Sequence, residues 1–341
     1  MLFVNQWRLS ILFVISGMGT CFALAYRSGQ QFVGERLKRL GIPLLVGILL
    51  IVPPQVYLER LVDGSFQGTY VQFYLSDAFK GIYPSGNISW HHLWFLPYLL
   101  IFSILLTPIF LYFRNNPDNA IINWCTHQIQ RPFGLYIFIF PLYLTEVFLE
   151  PFFPVTHALI DDWYTFTNFI MLFFYGYLFI QLKGAFWTAI ERTKFSSLLI
   201  GILSFSLLCL IWGMTDDTVG TFIVALVNVV NCLSWIIVLF GYSATYLNRK
   251  SSLLRYCNEA VYPFYILHQT VTIILGCFLM NEAMSFGLKF TLMSVGTFLI
   301  CWILYEFLIR RVYWLRPLFG LKNQGDQQST KLLKKGETSV V

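Results

Sequence analysis

Long apolar runs separated by short polar segments dominate the chain. A bilayer is crossed by roughly 20 apolar residues in a row, with about 17–25 tolerated. Nine candidate runs can be traced, at about 9–26, 42–57, 92–113, 134–150, 166–183, 196–213, 220–247, 259–280 and 287–308. Pro53-Pro54 ends the second and Pro141 interrupts the fourth, so kinks or partial spans are expected there. Nine spans leave roughly 160 residues for loops and tails, and no connection is long enough for a second globular domain. The pattern predicts an all-α polytopic membrane helix bundle over residues 1–322. Residues 323–341 are polar, charged and aperiodic, and read as a disordered cytoplasmic tail.

Composition turns this pattern into a class. Of 341 residues, 57% are apolar and only 12% charged, against about 25% charged in soluble domains. Seventeen acids and 23 bases cannot solvate a surface of this size, which excludes a soluble enzyme, a disordered chain and a nucleic-acid binder despite the net charge of +6. The seven cysteines are dispersed, and most sit inside apolar runs, where a thiol behaves as a small hydrophobe. No CxxC or HExxH occurs, so neither a disulfide framework nor a metal site is indicated. The N-terminus lacks the basic segment and small-residue cleavage site of a secretory signal.

Sorting the scarce charges by loop predicts orientation. Nineteen of the 23 Lys and Arg fall on one side: the loops around Arg27–Arg39, Arg114–Arg131, Lys183–Lys194 and Arg249–Arg255, and the C-terminal segment from Arg310 to Lys335. The other side holds only Arg8, Arg60, Lys80 and Lys289. The basic side is therefore expected to be cytoplasmic and to include the C-terminus. An odd number of spans then places Met1 outside. The segment 27–41 (RSGQQFVGERLKRLG) reads as a basic interfacial helix. The segment 58–91 is the longest outer loop, with turn signals at Asp63-Gly64 and Pro84-Ser85-Gly86. It contains the glycosylation sequon Asn87-Ile88-Ser89, which has no meaning in a bacterial protein.

A few polar residues at depth are candidates for chemistry. His268 lies nine positions after Glu259, where the apolar run begins, or about 13 Å along a helix. Tyr262, Tyr265 and His268 share a slowly drifting stripe, extended by Gln269. An ionisable residue there faces a cavity or bonds to a neighbouring helix. His91 and His92 open the third run, with Trp94 as a possible interfacial aromatic; a histidine at an outer mouth could take a proton from an incoming hydroxyl or simply be solvated. Arg8 stands against the charge pattern and could snorkel to headgroups. Ser16, Gly17 and Gly19 permit close approach of a helix or ligand. Arg36, Lys38 and Arg39 could bind a phosphate-rich donor or anionic membrane lipid. Glu306 and Arg310 are spaced for a helical ion pair. Asp161-Asp162 and Asp216-Asp217 read as solvated turn acids, and Glu146, near the outer end of its span, is the one serious carboxylate candidate for coupling ion movement.

LFVISG at 12–17, ERLKRLGIP at 35–43, HLWFL at 92–96, NEAVYPFYILHQ at 258–269 and YEFLIRR with LRPLFG at 305–320 together resemble the membrane-bound acyltransferase family 3, nearest to a glucan-modifying branch. The resemblance runs from Arg8 to about Lys322. It implies a ten-helix bundle in a bacterial inner membrane that moves an acetyl or succinyl group from cytoplasmic acyl-CoA to a hydroxyl of a glycan acceptor outside. No bound cofactor is implied beyond acyl-CoA as donor substrate. On this basis Arg36, Arg39 and Lys38 with Tyr262 would contact the donor. Tyr265 and His268 would line the transfer path, and His92 with Trp94 would lie toward the acceptor. His268, His92, Tyr265 and Arg8 are the catalytic candidates. Family members usually begin with a helix bearing a basic residue and a histidine; this chain starts at what resembles the second family helix, and one more helix would bring both termini inside. The rival readings are a transporter for a glycan or lipid-linked intermediate, a scaffold subunit of an envelope-polysaccharide assembly, and a non-catalytic truncated homologue.

Overall fold

The computed structural model describes residues 2–211 and 218–322. Asp216-Asp217 and the segment 323–341, read above as turn acids and a disordered tail, lie outside the described residues. Among those described, eight helices are long and apolar enough to cross a membrane, joined by one shorter apolar helix. In chain order these are α1 (Phe3–Leu24), α2 (Gly29–Val62), α3 (His91–Asn115), the shorter α4 (Gly134–Phe148), α5 (Trp163–Gln181), α6 (Gly184–Leu210), α7 (Val219–Leu247), α8 (Ser252–Met280) and α9 (Phe286–Ile309). No β-strand occurs among the described residues, only an isolated bridge between Ile82 and Ile88. The protein is an all-α polytopic helix bundle.

Two boundaries differ from the sequence expectation. The basic segment 27–41 is not a separate interfacial helix but the first part of α2, continuous with the span through π-helical turns at Leu37–Gly41 and Gly47–Ile51. Pro53-Pro54 does not end this element either: the chain breaks only at Val52 and resumes as Pro53–Val62. Proline fits the first turn of a helix, where its missing N–H has no partner to lose.

The chain folds as two compact units. Unit 1 comprises the residues up to Val33 together with Ile101–Lys250, and unit 2 comprises Gly34–Leu100 together with the residues from Ser251 on. In unit 1, α1 and α5 cross at a pair of glycines. A Cβ on Gly17 would run into the Phe173 carbonyl oxygen, and one on Gly176 into that of Val14. The close approach foreseen for Gly17 is therefore helix packing, whereas Gly19 faces open space. Polar side chains join the other helices. Asn231 on α7 donates to the Gly201 carbonyl and the Ser204 hydroxyl of α6 at 2.8 Å each, and the Tyr136 hydroxyl meets Ser197 and Ser234. In an apolar medium such groups satisfy one another because no water can.

In unit 2, α8 and α9 pair, and α8 buries Ala260, Pro263, Ile266, Leu267, Thr270 and Val271. Glu259 at 2.9 Å holds Arg316, which is only 3% exposed and also donates to the carbonyls of Arg310 and Lys322. This network fastens the short helix Leu315–Leu318 to α8. The Glu306–Arg310 pair forms as spaced, at 2.9 Å. Arg60, one of the bases on the sparse side, clamps the outer loop by donating to Asn87, Pro84 and Gly86. The amide of Asn87 is itself committed to the Asp77 carbonyl.

Candidate functional site

The polar centre of unit 2 is assembled from α2, the start of α3 and α8. It begins with a backbone irregularity. Pro53 and Pro54 bring no N–H to their turn, and the Gln55 N–H bonds the Val52 carbonyl. The Ile51 carbonyl is thus open to another donor, and the Thr270 hydroxyl takes it at 2.7 Å. Having spent its proton, Thr270 must accept, and it does so from Gln55 Nε2 at 2.6 Å. That fixes the Gln55 amide with its nitrogen toward His92, whose Nδ1 lies 3.3 Å away. The His92 Nδ1 is therefore an acceptor, and its Nε2–H donates to the Ile266 carbonyl at 3.0 Å. Both ring nitrogens of His92 are engaged. Gln55 is only 2% exposed, and its Oε1 has no hydrogen-bond partner among the described residues.

His268 stands beside this assembly with a different character. Its ring centre is 5.3 Å from that of His92, with the planes at 88°. Its Nδ1 donates to the Tyr265 carbonyl at 2.8 Å, which leaves the lone pair on Nε2. His268 is exposed, and Nε2 has no partner among the described residues. Tyr265 completes the group by donating from its hydroxyl to the His92 carbonyl at 2.6 Å. One turn back along α8, the Tyr262 ring lies parallel to that of Tyr265, and its hydroxyl donates to the Arg39 carbonyl at 3.0 Å. Gly320, at φ +71°, leaves room for the Tyr262 ring, against which any Cβ would collide. Arg36 is half-buried, while Lys38 and Arg39 are exposed on the same turn of α2.

Several sequence expectations are thereby corrected. His268 was expected along the transfer path and His92 toward the acceptor; the two rings are direct neighbours. The cause is the true start of α8: Ser251 caps it by accepting from the Leu253 N–H. His268 is thus 16 residues into a 29-residue helix, near its middle. The apolar scan missed the polar opening turns, SLLRYCN. Trp94 is buried against Tyr98 rather than set in an interfacial belt. Asp162, expected to be solvated, is 1% exposed and accepts from the His157 N–H at 2.9 Å, closing its own loop. Arg8 sits exposed at the head of α1, in unit 1, while the other candidates belong to unit 2. Gln55 and Thr270 were not foreseen. A glutamine directly after two prolines, within an apolar run, was the available signal.

An exposed imidazole with a fixed tautomer, held beside a second imidazole and a tyrosine, can accept a proton from a hydroxyl. Comparison with known proteins gives this chemistry a class. The model of acyltransferase family 3, described as an acyltransferase domain, matches residues 1–306. The chain belongs to this family, and with its eight apolar helices it is an integral membrane protein. Among curated proteins it is similar to glucans biosynthesis protein C of Escherichia coli O1:K1 / APEC and of Escherichia coli O45:K1 (strain S88 / ExPEC). Each is 25% identical over 344 residues, covering 94% of this chain and 83% of the relative. The protein of the same name from Escherichia coli strain SMS-3-5 is 25% identical over 346 residues, with the same coverage. No solved structure matches.

Proposed function

We propose that the protein transfers an acyl group, acetyl or succinyl, from acyl-CoA to a hydroxyl of a glycan, with the donor on the basic face of the membrane and the acceptor on the other. The observation that carries this reading is the paired arrangement of His92 and His268 inside a membrane acyltransferase fold. His268 Nε2 accepts the proton of the acceptor hydroxyl as its oxygen attacks the thioester carbonyl carbon. The tetrahedral intermediate collapses with cleavage of the carbon–sulfur bond, and the imidazolium returns its proton to the departing CoA thiolate. His92, with both nitrogens engaged, positions the wall against which His268 stands, and Tyr265 ties the two helices together. Arg36 and Arg39 suit the donor's phosphates because guanidinium pairs bidentately with phosphate oxygens; Lys38 adds charge, and Tyr262 holds the Arg39 turn in place. The glycan part of the reading is supported by the name shared by the curated relatives. The loop charges support a cytoplasmic C-terminus, and the Escherichia coli source of the relatives supports a bacterial inner membrane.

The test uses membranes containing the full chain, incubated with acyl-labelled acyl-CoA and a glucose oligomer. Label is expected to appear on the glycan and to fall on substitution His268→Ala or Arg36→Ala. Glycan movement across the membrane without acylation would replace this reading with a transporter.

A further inference from the structure

Unit 1 contains a cavity that the transfer chemistry does not use. Its volume is about 350 Å³, at the small end of the roughly 300–1,000 Å³ typical of small-molecule sites. Glu146 in the last turn of α4 and Glu150 just beyond its end line it together with Tyr164 and Asn168 of α5 and Asn228 of α7. Tyr164 is hydrogen-bonded to the Glu146 carboxylate. Leu142 and Phe169 supply an apolar part of the wall. Thr165, also in the wall, is 1% exposed, and its hydroxyl has no hydrogen-bond partner among the described residues. A buried hydroxyl left in this state is stabilised by an occupant that supplies its hydrogen bond.

The wall chemistry selects the occupant. No Lys or Arg lines the cavity, so an anion is disfavoured. Amide side chains both donate and accept, and a carboxylate accepts from two hydroxyls at once. Vicinal hydroxyls need that combination, and the apolar wall suits the carbon–hydrogen face of a sugar ring. The location agrees. The cavity gathers the starts of α1 and α5, the end of α4 and the middle of α7. Except for Arg8, the bases of unit 1 lie toward the opposite ends of these helices or in the loops there. By the charge rule this end faces away from the cytoplasm.

We propose that this cavity binds one or two sugar rings of a neutral glycan through Glu146, Asn168 and Asn228. The proposal rests on the glycan reading above and gives it a holding site distinct from the imidazole pair. The experiment is equilibrium binding of a radiolabelled glucose pentasaccharide to the full chain in lipid nanodiscs, with no acyl-CoA present. Saturable binding is expected, weakened at least tenfold by Glu146→Gln and by Asn168→Leu, and unchanged by Gly19→Ala, a position that faces open space. Hydrogen exchange in the unsubstituted protein gives a second readout: sugar is expected to slow exchange across 146–150 and 164–168. Absence of saturable binding, or binding that both cavity variants leave intact, overturns the proposal. So does saturable binding of tetramethylammonium that the sugar fails to displace, which would make the cavity a cation site. Because no donor enters the assay, sugar binding that holds while acyl transfer fails separates the two readings: the cavity stands and the transferase reading falls.

Discussion

Gln55, donating to Nδ1, and the Ile266 carbonyl, accepting from Nε2–H, together fix which nitrogen of His92 carries the proton. The Gln55 amide orientation is dictated in turn by Thr270, whose hydroxyl proton is drawn to the carbonyl exposed by Pro53-Pro54. Replacing Gln55 by Leu keeps the volume nearly constant but leaves the His92 Nδ1 without a donor. A buried polar atom deprived of its partner costs about 1–3 kcal/mol. The expected outcome is a fall in kcat with the donor KM unchanged and a lower unfolding midpoint. Thr270→Val should reproduce part of the same effect through Gln55, visible as a smaller kcat loss. His268→Ala acts differently. It removes the proposed proton acceptor, so turnover should drop by about 10²–10⁴-fold, the usual contribution of a general base. Because the side chain is exposed, thermal unfolding should barely move. Steady-state kinetics beside a melting curve separates the two residues: Gln55→Leu changes both, His268→Ala only the first.

At the scale of elements, the α1–α5 crossing depends on two hydrogen atoms where other residues carry a Cβ. Gly17 and Gly176 each oppose a backbone carbonyl of the facing helix, and backbone cannot move aside as a flexible side chain can. Gly176→Val should therefore force the helices apart and destabilise the protein by about 3 kcal/mol or more, read as loss of folded protein in mild detergent. Gly19→Ala, facing open space, should be tolerated. The outer loop shows a second device. Ser76 and then Lys80 hold the Asp77 carboxyl below the usual carboxylate range. Its contribution is therefore present above the unfolded value and lost only as pH falls through the lower folded one. Protection of the 77–88 amides, measured as exchange relative to the intrinsic rate at each pH, should hold above the ordinary carboxylate range and fall progressively as pH drops from there through the lower folded value.

These elements also show where the sequence stops being informative. Apolar run length reveals α1, α3 and α5–α9 because span length is fixed by the bilayer. It cannot locate polar opening turns such as 252–258, nor show that π-helical turns carry α2 through its basic segment, since both depend on packing. The site divides the same way. The stripe Tyr262, Tyr265, His268 is legible because one helix's period relates its members. His92 joins it only through contacts with positions more than 170 residues away, and Gln55 reaches the same helix at Thr270, 215 residues on, which no period encodes.

For the whole molecule, the decisive quantity is the side of the membrane on which each loop lies, since group transfer across a bilayer requires donor and acceptor to approach from opposite faces. Helix α3 provides the cleanest reading. It spans 25 residues, about 37 Å at 1.5 Å each, more than the ~30 Å hydrocarbon core. Its two flanks differ in charge. The segment before it carries only Arg60 and Lys80 among 58–90, whereas Arg114 at its end and Arg131 beyond open a loop on the basic side. Cysteines introduced by Ser65→Cys and Asn116→Cys sit in exposed loop positions at either flank. With a membrane-impermeant maleimide and peptide-resolved mass spectrometry, the native cysteines serve as internal references rather than interference. Ser65→Cys should be labelled in intact cells, and Asn116→Cys only after the membrane is permeabilised. Reversed labelling would invert the orientation and place the Arg36–Arg39 turn on the wrong side for a cytoplasmic donor. Equal labelling of both in intact cells would mean that α3 does not cross, and the proposed transfer path through His92 and His268 would lose its geometry altogether.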